Sequence, residues 1–228
     1  MCLFILPICV NAEEYIISEL EIKIDVPSNY LVITRDNYKN NSGMESLGVT
    51  PEYMEQVFKN YNAYLDAFDS VTGQEIFIIV NPVNGDYSEY SVEELEELIT
   101  ALESYYASLN GKNIKIEVVN VNGINYFKID YVQNGYYLIN YYLVSNNNGY
   151  NFQIQSKTPL AESEKISFHK IIESISFDYE EEVPPVVEDN DVSSKDNSEE
   201  KKEDKDQSGK LFTIIGASIG VLIGTVIS

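Results

Sequence analysis

IKIEVVNVNGINYFKIDYVQNGYYLINYYLVSNNNGYNFQIQ, residues 114–155, holds four β-rich runs separated by Asn-Gly pairs at 122–123, 134–135 and 148–149. Asn-Gly accepts positive φ at both central positions of a type I′ turn, and the twist of that turn matches paired strands. The runs IKIEVVNV, INYFKIDYV, YYLINYYLV and YNFQIQ therefore predict a four-stranded antiparallel meander.

Upstream, Ile22, Ile24 and Val26 alternate with Glu21, Lys23 and Asp25, the period of a half-buried strand. Pro27-Ser28-Asn29 turns the chain into a second β-rich run, Tyr30 to Arg35, so the opening reads as a hairpin. Asp36 to Gly48 is polar and reads as a loop. Thr50 and Pro51 then suit a helix start, because the hydroxyl caps and proline at the first position forfeits no amide bond. Met54, Val57, Phe58, Tyr61, Leu65 and Phe68 extend one apolar stripe from it. Gln74 to Val80 is nearly all apolar, which predicts a central strand covered on both faces. Ser91 and Glu94 form a capping-box pattern ahead of Val92, Leu95, Ile99, Leu102, Tyr106 and Leu109, a second amphipathic helix ending near Asn110-Gly111. A last helix spans about 162–173, with Ile166, Phe168 and Ile172 inward, and leads into Ser174 to Phe177. The expected class is α+β, an antiparallel sheet flanked by helices on both faces.

Both ends depart from this pattern. MCLFILPICVNA at residues 1–12 has an apolar run, then Val10 and Ala12 at the small-residue positions a signal peptidase needs. Both cysteines, Cys2 and Cys9, lie in it, so its removal would leave no thiol for a disulfide or a metal. Residues 13–178 then form the globular α+β domain. Residues 178–208 hold 13 acidic and 4 basic side chains, too little apolar area to offset ordering entropy, so 179–209 is expected to be a disordered linker. Leu211 to Ser228 carries no charge over eighteen residues, about 27 Å of helix against a hydrocarbon core of roughly 30 Å. Residues 210–228 thus predict a transmembrane helix. Gly216, Gly220 and Gly224 make a smooth face for self-association of that helix. Lys201, Lys202, Lys205 and Lys210 precede it and favour a cytoplasmic domain, whereas the N-terminal segment favours an external one. We take the external placement as the expectation: a single-pass cell-membrane protein with its domain extracytoplasmic.

Composition narrows the chemistry. A formal charge of −22 excludes a nucleic-acid footprint. His169 is the only histidine, and no metal motif, nucleophile elbow or phosphate loop occurs, so no catalytic, cofactor or metal residue is assigned. Tyrosine is in excess, 18 residues with many in the meander. Strand propensity explains most of them. An exposed set of Tyr126, Tyr131, Tyr137, Tyr141 and Tyr142 would be a contact surface, as would the 36–48 loop.

IKIDVPSNYLVITRD at 22–36, with its P-x-x-Y turn, and the closing IIESISF, with its S-x-x-F, sit in the order hairpin, helix, strand, helix, meander, helix. Over about residues 14 to 178 the chain resembles the PsbP-like (Mog-type) superfamily. The resemblance implies a sheet with helices on both sides and a binding or assembly role without catalytic residues, so it transfers no site. The stalk and anchor depart from the lumenal plant members and imply an uncharacterised Gram-positive surface version. The expected function is a membrane-anchored extracytoplasmic binding or assembly domain, not an enzyme, with an unknown protein or envelope component as partner. The alternatives are a carboxylate-based envelope hydrolase and a cytoplasmic tail-anchored scaffold.

Overall fold

The computed structural model describes residues 11–177. The greater part of the expected signal segment, the acidic linker and the 210–228 helix with Gly216, Gly220 and Gly224 lie outside the described residues. Among the described residues no helix is long and apolar enough to cross a membrane.

The strands are β1 (Ala12–Ile17), β2 (Ile22–Pro27), β3 (Leu31–Thr34), β4 (Ala63–Asp69), β5 (Gln74–Pro82), β6 (Lys112–Val121), β7 (Ile124–Gln133), β8 (Tyr136–Ser145), β9 (Asn148–Ser156) and β10 (Ser176–Phe177). The helices are α1 (Pro51–Tyr61), α2 (Val92–Glu96), α3 (Ile99–Ser108) and α4 (Glu162–Glu173). Seven strands form an antiparallel sheet in the order β3-β4-β5-β9-β8-β7-β6, and β1-β2-β10 form a smaller one. Two meanders, β3 to β5 and β6 to β9, are joined only by the β5–β9 ladder, from Glu75↔Gln155 to Pro82↔Asn148.

One face of the large sheet buries a continuous apolar core. Ile76 and Ile78 of β5, Phe152 and Ile154 of β9 and Ile139 and Tyr141 of β8 meet Phe168, Ile171 and Ile172 of α4 and Ile22, Ile24 and Val26 of β2. The opposite face carries two separate clusters. α1 lays Met54, Val57 and Phe58 over Ile33, Phe77 and Ile79. α2 and α3 lay Leu95, Leu102 and Tyr106 over Phe127, Ile129 and Tyr142. β5 is buried on both faces through Asn81, as its unbroken apolar run requires. Thr50 caps α1 by accepting from the Tyr53 amide at 3.2 Å. Ser91 and Glu94 close the capping box of α2 at 3.2 and 2.9 Å. The second helix is split at residues 97–98 into α2 and α3.

Four local expectations change. The opening is not one hairpin: β2 pairs with β1 and β10, while β3 crosses to the large sheet and pairs with β4. The Tyr30 amide donates to Pro27 O at 3.0 Å in the turn that makes the crossing. The helical stripe ends early, because Asn62 adopts φ 51° and closes α1 just ahead of β4, so Leu65 and Phe68 are strand residues. Leu65 fits both periods locally, and only pairing with Ile78 decides. Ile166 of α4 points outward, 52% exposed, and Ile171 takes its inward place. The third meander turn sits at Asn146-Asn147 rather than Asn148-Gly149.

That last shift has a tertiary cause. Asn122-Gly123 and Asn134-Gly135 adopt the expected positive φ, and Asn146 and Asn147 follow at 50° and 59°. Asp86 Oδ2 accepts from the Asn146 amide at 3.0 Å, and Gly85 O accepts from the Asn147 amide at 3.1 Å. Asn148 and Gly149 are thereby freed to pair with both β5 and β8. Asn tolerates the left-handed region that costs other side chains roughly 1–2 kcal/mol. Asn146→Ala should therefore lower unfolding stability by about 1 kcal/mol, and Asn148→Ala by clearly less, in paired urea denaturations.

Candidate functional site

The two clusters on the helix-split face leave a gap along the β5–β9 ladder, and polar side chains fill it. Directly opposed residues share a face, so Asp66, opposite Phe77, lies on the same face as Glu75. Across β9 follow Gln155, Gln153 and Asn151, and on β8 Asn140 opposes Gln153. Asp66 and Glu75 are 6% and 9% exposed, and the amides at 140, 151, 153 and 155 are no more than 1% exposed. Gln155 donates to Glu75 Oε2 at 2.7 Å, and Asn140 donates weakly to the Tyr106 and Tyr131 hydroxyls at 3.4 Å each. Asn140 Oδ1, Gln153 Oε1 and both polar atoms of the Asn151 side chain are buried without a protein partner. Buried amides seldom stay so; ordered water is the usual occupant.

Burial pushes both carboxyls up. Asp66 is raised well above the usual range by desolvation and then by the charge of Glu75. Glu75 is raised to about 6 by desolvation, held from rising further by the Gln155 hydrogen bond and the Lys157 charge. Two neighbouring buried carboxyls, both raised, are an acid–base arrangement in principle. Neither, however, lines the cavities described below, so a substrate has no route to them there. Among the described residues no group of three His, Cys, Asp or Glu side chains is placed to hold a metal.

The tyrosines do not form an open face. Tyr126, Tyr131, Tyr141 and Tyr142 are 2–3% exposed. Tyr131 packs edge-on to Tyr106 at 4.8 Å between ring centres, and Tyr141 packs on Phe168 at 5.7 Å. Alternation sends Tyr126 and Tyr141 into one core and Tyr131 and Tyr142 into the other, so both parities are buried. Tyr137 alone of the five is half-buried; it lines a cavity of about 210 Å³ with Asp130 and Lys165. His169 is a packing residue, its Nδ1 2.9 Å from the Tyr141 hydroxyl.

The polar 36–48 loop does open onto a cleft. Asparagine side chains order it: Asn41 donates to Val32 O at 2.8 Å and accepts from the Gly43 amide at 3.1 Å. Asn37 accepts from the Thr34 amide at 2.8 Å. At its base lies Arg35, the single arginine of the chain. Its guanidinium donates to Ala63 O at 2.7 Å, Phe58 O at 3.2 Å and Glu19 at 2.9 Å, and stacks 3.6 Å from the Tyr64 ring centre. Around it Tyr38 and Lys39 of the loop and Glu55, Phe58 and Lys59 of α1 line a cleft of about 430 Å³. Another cavity of about 210 Å³ lies between Tyr30, Asp69, Gln74 and the α4 residue Glu164. Sequence reading missed Arg35 and Lys59; the only signal was a lone arginine at the lip of a polar loop.

No family model matches the chain, and no curated protein matches it. Among solved structures, it is similar to cyanobacterial PsbP (CyanoP) from Synechocystis sp. PCC 6803 at 10% identity and TM-score 0.46, covering 78% of this chain and 97% of that one. It is also similar to a protein from Bacteroides thetaiotaomicron VPI-5482 at 10% identity and TM-score 0.38, covering 70% of this chain and 46% of that one. Likenesses this distant carry nothing about ligand or activity.

The Glu75 carboxyl makes a testable signature. Its folded acidity lies above the ordinary 4.5, so its contribution to stability is full below pH 4.5 and is lost as pH rises through about 6. Glu75→Gln should leave stability nearly unchanged below pH 4.5 and raise it by about 2 kcal/mol above pH 7. Guanidinium titrations of both proteins across that range measure the difference.

Proposed function

We propose that this chain is a non-catalytic binding or assembly domain, held on the outer face of a membrane by a single helix. The observation that supports binding is the cleft between the 36–48 loop and α1, about 430 Å³ and lined by a braced Arg35. That volume falls within the range of small-ligand sites. The buried position of Asp66 and Glu75 favours binding over hydrolysis, since catalytic carboxyls must reach a substrate.

The tether rests on sequence: eighteen uncharged residues, 211–228, follow a long acidic stretch. Gly216, Gly220 and Gly224 supply the face along which two such helices would pair as a homodimer. The partner is an envelope component or protein rather than a nucleic acid, which the charge of −22 would repel. The four lysines at 201–210 favour the reverse orientation, a cytoplasmic tail-anchored scaffold.

Protease shaving of intact cells expressing the chain tests the reading. Release of a fragment containing residues 13–178 is the expected result. A domain cut only after the cells are lysed would establish the cytoplasmic orientation instead.

A further inference from the structure

We infer that the Arg35 cleft binds a small anion bearing hydroxyl groups, a carboxylate- or phosphate-carrying sugar or hydroxy acid. This rests on the binding-domain reading and names the ligand class for the same cleft.

Three cations meet there, Arg35, Lys39 and Lys59. Arg35 is fixed by four contacts, from the short 3-10 turn at Ser18–Leu20, α1 and β4, so holding an anion costs it almost no further side-chain entropy. Its donors to Phe58 O, Ala63 O and Glu19 do not exhaust the five that a guanidinium carries. Lys39 and Lys59 have no ion-pair partner among the described residues. Lys39 leans toward the Tyr38 ring at 5.5 Å, and Tyr38 packs edge-on to Phe58 at 5.7 Å, giving one apolar wall.

The other lining groups decide what kind of anion fits. Glu19 and Arg35 offset each other at 2.9 Å, so with Lys39, Lys59 and Glu55 the lining keeps one net positive charge, enough for a single anionic group. Glu55 is not paired among the described residues and would accept a ligand hydroxyl. A plain halide or nitrate offers no such donor. A long polyanion is disfavoured for a different reason: the field of a chain with charge −22 repels each extra negative group lying outside the cleft. What remains is one anionic group for the lysines and Arg35, hydroxyls for Glu55, and a C–H face for the Tyr38–Phe58 wall.

The test uses the full-length chain in detergent micelles, followed by amide NMR. Galacturonate, gluconate and inorganic phosphate are the probes, and galactose is the neutral control. Saturable shifts confined to residues 35–39 and 55–62 are expected with galacturonate or gluconate. Galactose should bind at least about tenfold more weakly, and the double variant Lys39→Glu/Lys59→Glu should raise Kd by about tenfold or more. Both lysines are on the cleft surface, and far-ultraviolet circular dichroism matching the wild type would show that the variant folds. Shifts with phosphate but not with either carboxylate would assign the anion as a phosphate group. No saturable shift with any anion, equal affinity for galactose, or a double variant that binds like the wild type would each overturn the inference. Such a failure would leave the shaving result standing, so the two readings fall separately.

Discussion

The ladder between β5 and β9 holds two otherwise local meanders in one sheet. Each meander pairs strands that are neighbours in sequence, all joined by tight turns except β3 and β4, which the 36–48 loop and α1 separate. The β5–β9 pairing instead joins residues such as Glu75 and Gln155, 80 positions apart. Closing so long a loop costs entropy that only burial on both faces offsets. Phe77, Ile78 and Ile79 of β5 and Phe152 and Ile154 of β9 provide that burial. The continuous core under α4 and the small sheet extends across the junction and depends on it.

The same ladder explains why the other face is divided. α1 lies between β3 and β4 of the first meander, and α2 and α3 precede the second, so each helical unit covers the strands of its own half. Between them the sheet shows a strip of carboxyls and amides to neither cover. An apolar strip there would be more stable, because buried amides without partners and a coupled acid pair both cost free energy. Tyr106 and Tyr131 close the strip at one end through Asn140, and Glu75 closes it at the other through Gln155. Polar groups at this position specify register: a one-residue slip of β9 would place Phe152 and Ile154 in the gap and bury Gln153 in the apolar core.

Charge is distributed to match. The domain's carboxylates are mostly on the surface, yet the cleft beside α1 gathers Lys39 and Lys59 around a guanidinium that is already braced by protein carbonyls. Arg35 therefore does two jobs. It ties the turn at Ser18–Leu20 to α1 and β4, and it presents its remaining edge to the cleft.

Local physical chemistry in the sequence settled much of this fold. The meander followed from turn residues that tolerate positive φ, the caps from Thr50, Ser91 and Glu94, and the doubly buried β5 from its unbroken apolar run. All three are short-range properties, legible within a few residues. Where two local readings were equal, distant partners decided. Asn62 ended α1 because Leu65 had a place opposite Ile78, and Asp86 moved the last turn to Asn146. The tyrosines show the same limit: alternation placed them on two faces, but only helix packing revealed that both faces are covered. The candidate site was the least legible part, since Arg35, Lys39 and Lys59 come from segments whose adjacency exists only once β3, β4 and α1 have packed.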